Sequence, residues 1–139
     1  GGEPADGMIR LTYPGKIPAS EFHYKKGVPH GTFRTFYRSG GKRSEGQYEE
    51  GRLEGVVFSY HENGKLEAKS RYRKGTLQGK SEYYHEKGQL EREVYYVNWR
   101  LHGVETYYDL SGKPAGHQYY RNGKQIEYFE AAARAAHSL

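Results

Sequence analysis

The sequence predicts an all-β protein, a single twisted antiparallel meander of β-hairpin repeats that forms an open sheet. Three observations predict it. Glycine and aromatic residues recur at a fixed step of 24 positions. Apolar and polar residues alternate with period two on both sides of an Asn-Gly turn. Finally, 19 glycines against 5 prolines point to many turns, and 15 tyrosines supply the ring content.

Composition sets the bounds. At 139 residues the chain holds one domain, or two very small ones. A mean hydropathy of −1.06 alone would suggest disorder. Aromatic content of 15% argues against it, because disordered chains are poor in rings. The absence of cysteine excludes a disulfide framework, a thiolate metal site and a cysteine nucleophile. No apolar run is long enough for a transmembrane helix. The start at Gly1-Gly2, without Met, is expected of a trimmed or tagged chain. A cytoplasmic setting is the expectation, with an exported form as the alternative. The net charge of +5 arises from 22 basic and 17 acidic residues, too evenly mixed for a nucleic-acid-binding arm.

The repeats are read from columns. Tyr24, Tyr48, Tyr72, Tyr96 and Tyr120 form one. Gly27, Gly51, Gly75 and Gly123 form a second, with Trp99 in the fourth slot. Gly31, Gly55, Gly79 and Gly103 form a third, and Phe36, Tyr60, Tyr84 and Tyr108 a fourth. Gly40, Gly64, Gly88 and Gly112 complete the set. Residues 24–123 are therefore four repeats, preceded by an N-terminal segment with a capping hairpin at 1–23 and followed by a tail at 124–139. Tyr13-Pro14-Gly15-Lys16-Ile17 reads as a shortened repeat turn within that cap.

The unit, clearest at Tyr60-His61-Glu62-Asn63-Gly64-Lys65-Leu66, resembles the MORN repeat in its 24-residue variant. It returns more loosely at Tyr84–Leu90 and Tyr108–Pro114. The resemblance covers about residues 12–129. It implies a hairpin-repeat fold. Bacterial members resemble antitoxin components of toxin–antitoxin systems, and classical relatives are associated with membranes and phosphoinositides.

Within one repeat, the loop length follows from the faces. A two-residue Asn63-Gly64 turn would set His61 opposite Leu66. A three-residue loop, with Gly64 left-handed in a bulge, sets Tyr60 opposite Leu66. The second choice is expected to gather Val56, Phe58, Tyr60, Leu66, Ala68 and Tyr72 on one face. A second short turn, as at Tyr48–Leu53, leads to the next repeat. The result is a sheet of about ten strands spaced ~4.8 Å, each repeat advancing it roughly 10 Å. With no second layer, cross-strand tyrosine and Lys–Glu pairs must hold it. A short C-terminal helix is expected as a cap, with Asn122 as N-cap, the helix over 125–137 and Ile126, Phe129 and Ala133 on its stripe.

Candidate chemistry is sparse. His61, His85 and Asp109 share one slot, but metal ligands must converge to within ~2 Å of one ion, while this slot steps by roughly 10 Å. They are read as a solvated polar column. Glu91 and Glu93 share a face and are read as solvated partners of Lys or Arg. No nucleophile elbow or phosphate loop occurs. No catalytic residue, cofactor, metal or nucleic acid is expected.

Two features call for a partner. Trp99 replaces a turn glycine, with Asn98 expected to take the left-handed conformation in its place, and an exposed Trp beside Arg100 has the composition of an interface anchor. Tyr83, Tyr95, Tyr107 and Tyr119 appear only in the last two repeats, where the first two carry Thr35, Gln47, Ser59 and Arg71. These tyrosines, with Trp99 and Arg100, are the expected protein-binding residues. Self-association through Phe36, Phe58, Tyr60, Leu66, Tyr84, Leu90 and Tyr108 is a further expectation. The competing one is an anionic-lipid surface built from Lys25, Lys26, Arg71, Arg73 and Lys74, where each cation near a membrane contributes about 1 kcal/mol.

Overall fold

A computed structural model describes residues 6–127 of the protein. Among these residues the fold is all-β. An N-terminal hairpin joins β1 (Gly7–Tyr13) to β2 (Ile17–Lys25). The chain continues through β3 (Val28–Phe36), β4 (Lys42–Glu49), β5 (Arg52–Leu53) and β6 (Gly55–Tyr60). Next come β7 (Leu66–Arg73), β8 (Thr76–Leu77), β9 (Gly79–Tyr84) and β10 (Leu90–Val97). The last are β11 (Arg100–Leu101), β12 (Gly103–Tyr108), β13 (Pro114–Arg121) and β14 (Lys124–Ile126). All belong to one open sheet in sequential order, and every pairing is antiparallel.

Two kinds of turn alternate. The first closes each main hairpin with a three-residue loop. His61 N donates to Lys65 O at 2.8 Å, and Gly64 N donates back to His61 O at 2.9 Å with Gly64 at φ 89°. Tyr60 therefore pairs with Leu66, as the alternation of faces requires. The second is a two-residue turn between repeats, followed by a two-residue jog. Tyr48 pairs with Leu53, yet Ser44 pairs with Ser59, so the strands splay at Glu54-Gly55.

The expected grouping of faces is only half correct. After Tyr60↔Leu66 the register skips Glu67, and Ser59 pairs with Ala68. This bulge turns Ala68 and Tyr72 to the face opposite Phe58, Tyr60 and Leu66. The skip recurs at Arg43, Glu91 and Ala115. Glu91 thus sits in a bulge and does not pair with its neighbours as Glu93 does.

A bulge in every repeat gives the sheet two unlike faces. Among the described residues, the inner face carries the buried side chains Phe33, Ala68, Ser81, Val94 and Glu105. Phe33 stacks on Phe22 at 5.4 Å and meets Tyr48 edge-on at 5.2 Å. Neighbouring side chains on the same face supply this burial, as Phe22 and Tyr48 do for Phe33. The small dry core therefore needs no second layer. The outer face carries Phe36, Phe58, Tyr60, Leu66, Tyr84, Leu90 and Tyr108, all half-buried.

The C-terminal end corrects the sequence reading. Asn122 (φ 50°) and Gly123 (φ 82°) form another inter-repeat turn, and Lys124–Ile126 pair with Tyr119–Arg121 as β14. Asn122 is thus no helix cap. An Asn-Gly pair with both residues left-handed closes a two-residue hairpin, and that geometry outweighs the capping pattern. The rest of the expected helix, beyond Glu127, lies outside the described residues.

Candidate interaction surfaces

The inter-repeat turns stack along one edge. Gly51 N donates to Pro29 O, Gly75 N to Leu53 O, Trp99 N to Leu77 O and Gly123 N to Leu101 O, all at 2.8–3.0 Å. Each turn places two residues at positive φ: Lys26-Gly27, Glu50-Gly51, Lys74-Gly75, Asn98-Trp99 and Asn122-Gly123. Asn98 therefore does not spare Trp99, since the first residue is left-handed in every turn. Trp99 itself adopts φ 71°, a conformation that costs a side-chain-bearing residue about 1–2 kcal/mol. Its ring packs edge-on against Tyr72 at 5.8 Å and remains 57% exposed. Arg100 is exposed beside it.

The four tyrosines of the last two repeats are not one surface. Tyr83 and Tyr107 both pair with Arg92 on the inner face. Tyr95 and Tyr119 pair with Lys80 and Val104 on the outer face. The bulge, invisible in the 24-step columns, separates them. On the inner face they surround an ion pair. Arg92 lies 4.4 Å over the Tyr83 ring, and its Nη1 is 3.2 Å from Glu105 Oε2. Glu105 is only 3% exposed, and its Oε1 accepts from Tyr107 at 2.8 Å and Tyr120 at 3.3 Å. Tyr83 and Tyr107 are thus partly committed to this cluster.

The outer face carries a second set of Tyr–Glu bonds that sequence reasoning missed. Tyr60 donates to Glu45, Tyr84 to Glu82 and Tyr108 to Glu93 at 2.8–3.1 Å. The spacing of 15 shared by Tyr60–Glu45, Tyr108–Glu93 and Tyr120–Glu105 was the available signal. Burial, then the neighbouring carboxylates, pushes Tyr60 and Tyr84 up to about 12. Burial, then the Tyr83 hydroxyl, does the same for Tyr96. Burial alone would raise Glu45, but the Tyr60 hydroxyl and Lys42 outweigh it and hold it below its ordinary value.

These shifts predict alkaline behaviour. A free tyrosine ionises near pH ~10. The three tyrosines stay neutral to about 12 in the fold, so their stabilisation is whole below ~10 and is lost as pH climbs between those values. Phenolate absorbance and circular dichroism, followed together, should show late-titrating tyrosines ionising as the sheet unfolds. Ionisation of all tyrosines near the free value, with the fold intact, would contradict this.

The basic residues do not form one patch. Lys25-Lys26 and Arg73-Lys74 occupy two turns of the stacked edge, and the turn between them carries Glu49 and Glu50. Lys74 N is capped by Glu54 Oε2 at 2.7 Å. Arg71 faces outward elsewhere, bonded to Lys80 O and to Glu82. The supposed polar column is also more than solvated. Tyr13, Tyr37 and His61 bond the backbone oxygens of Phe36, Tyr60 and Tyr84, at 2.9, 2.5 and 2.9 Å, stitching each hairpin to the next. Among the described residues, no three His, Cys, Asp or Glu side chains are grouped to hold a metal ion.

Comparison with known proteins adds one match. The model of a family described as the MORN repeat variant matches residues 29–50, 53–74, 77–98 and 101–122, one match per structural repeat. No curated protein matches the chain.

Proposed function

Because the chain belongs to the MORN repeat variant family, whose units are non-enzymatic repeats for protein and membrane interaction, we propose that it is a scaffold that captures a protein partner. Trp99 carries this reading. Glycine fills the matching position in the other four inter-repeat turns, whereas here a ring is held at positive φ and left more than half exposed. A strained, exposed tryptophan that the fold does not require serves as the anchor for a partner pocket, since interface energy concentrates in such residues. Arg100 beside it, and Tyr95 and Tyr119 on the adjoining outer face, extend the contact area. An antitoxin-like role, with a toxin as the captured protein, is the finer form of the proposal.

The test is Trp99→Gly. Loss of the Tyr72 contact costs about 0.5–1.5 kcal/mol, and relief of the left-handed strain returns a similar amount. The melting temperature is expected to stay nearly constant while affinity capture of the partner is lost. Unchanged capture, or collapse of the fold, overturns the proposal. Vesicles containing anionic lipid serve as a parallel arm. Binding abolished by reversing Lys25, Lys26, Arg73 and Lys74 but untouched by Trp99→Gly would favour the membrane alternative. For the antitoxin form, growth of cells expressing the captured protein should recover when wild-type chain, but not Trp99→Gly, is co-expressed.

A further inference from the structure

The jog that follows every inter-repeat turn opens a step between strands on the outer face. Between β10 and β12 this step is a groove of about 660 Å³, lined by Glu93, Tyr95, Val97, His102, Val104 and Thr106. Between β4 and β6 the residues 48 positions earlier, among them Glu45, Gln47, Glu54, Val56 and Phe58, line a groove of about 430 Å³. The intervening step is different. There the residue equivalent to Tyr95 is Arg71, and its guanidinium lies across the step, donating to Lys80 O at 2.6 Å and to Glu82 Oε1 at 3.1 Å. The first step repeats the arrangement with a ring nitrogen, His23 Nδ1 lying 2.7 Å from Thr32 O. The protein thus shows, inside its own repeats, what such a step accommodates: a planar nitrogen donor directed at the carbonyl of the residue that follows the jog.

We propose that the β10–β12 groove receives an arginine side chain from the partner polypeptide, in the manner in which Arg71 fills the preceding step. Val104 O stands in the position of Lys80 O. Glu93 supplies a carboxylate, and Tyr95, 43% exposed, supplies a ring on which a guanidinium can lie. Charge complementarity selects this groove over its sister. Glu45 in the sister groove is already engaged by Lys42 at 3.0 Å and Arg34 at 3.6 Å. Glu93 has one cation, Lys80, at 3.9 Å. Arginine is favoured over lysine because a planar fork can address a carbonyl and a carboxylate together while stacking on the ring. The groove adjoins the Trp99 turn through Val97 and His102. The inference rests on the protein-partner reading and names the chemistry of one contact within it.

The probe is the capped peptide acetyl-Gly-Arg-Gly-amide, titrated into the full chain and followed by heteronuclear NMR, beside its lysine and citrulline counterparts. Saturable shifts confined to residues 93–106 are expected, with the arginine peptide binding about tenfold more tightly than either counterpart. Tyr95→Arg, which installs the Arg71 arrangement and closes the groove, should abolish them with the fold intact. Glu93→Gln should weaken them. Gly116→Ala, on the inner face away from the groove, should leave the peptide response unchanged, and because the peptide carries nothing else of the partner, this readout is separate from that of partner capture. Absence of saturable shifts, equal response to the lysine peptide, or shifts that survive Tyr95→Arg would overturn the inference, whether or not Trp99 proves to be an anchor.

Discussion

Arg92→Leu is expected to destabilise the protein by about 3 kcal/mol near neutral pH, the scale seen when one partner of a buried ion pair is removed. The asymmetry of the pair decides which partner matters more. The Arg92 side chain is 37% exposed and can turn to water if Glu105 is lost. Glu105, at 3%, cannot, so removing Arg92 leaves a carboxylate supported only by the Tyr107 and Tyr120 hydroxyls. Urea unfolding of wild type and variant near pH ~7 measures the gap. Arg92→Leu with Glu105→Leu should recover most of the loss. A gap under about 1 kcal/mol, or a double variant worse than the single, would contradict the assignment.

Gly46→Ala carries the next largest expected effect, a loss of about 2 kcal/mol. A Cβ at this position would lie 2.8 Å from Phe33 Cε1 and 3.0 Å from Val57 Cγ2. Phe33 cannot yield, because it is 7% exposed and held between Phe22 and Tyr48. Phe33→Leu in the same chain should therefore offset part of the cost, so the two changes will not add. Gly116→Ala is the control: its added Cβ meets nothing within 4 Å, and its backbone is not left-handed. Thermal melts should leave Gly116→Ala near wild type. Equal damage at both positions would mean that backbone freedom, not crowding, is what Gly46 supplies.

Much of this fold was legible in the residues. The spacing of 24 located four repeats, and the alternation around Asn63-Gly64 selected the three-residue loop that pairs Tyr60 with Leu66. The bulge at Glu67 was not legible, since nothing in a column marks a residue that the register skips. Because side chains alternate at every step, the skip at Glu67 moved Ala68 and Tyr72 to the inner face, and the skips at Glu91 and Ala115 divided the four late tyrosines between two faces. Trp99 was visible as a departure from glycine. The grooves were not, because they arise from the jog at Glu54-Gly55 and its equivalents.

The sequence alone therefore determined the repeat, its hairpins, their order and the residue types on offer, because local turn chemistry and strict periodicity act over a few residues at a time. Only the tertiary structure decided which side chains meet. The pairing of Arg92 with Glu105, the crowding of Phe33 over Gly46 and the opening beside Tyr95 depend on how strands from successive turns come into register. Register accumulates every bulge and jog along the way, so it belongs to the assembled sheet rather than to any one repeat.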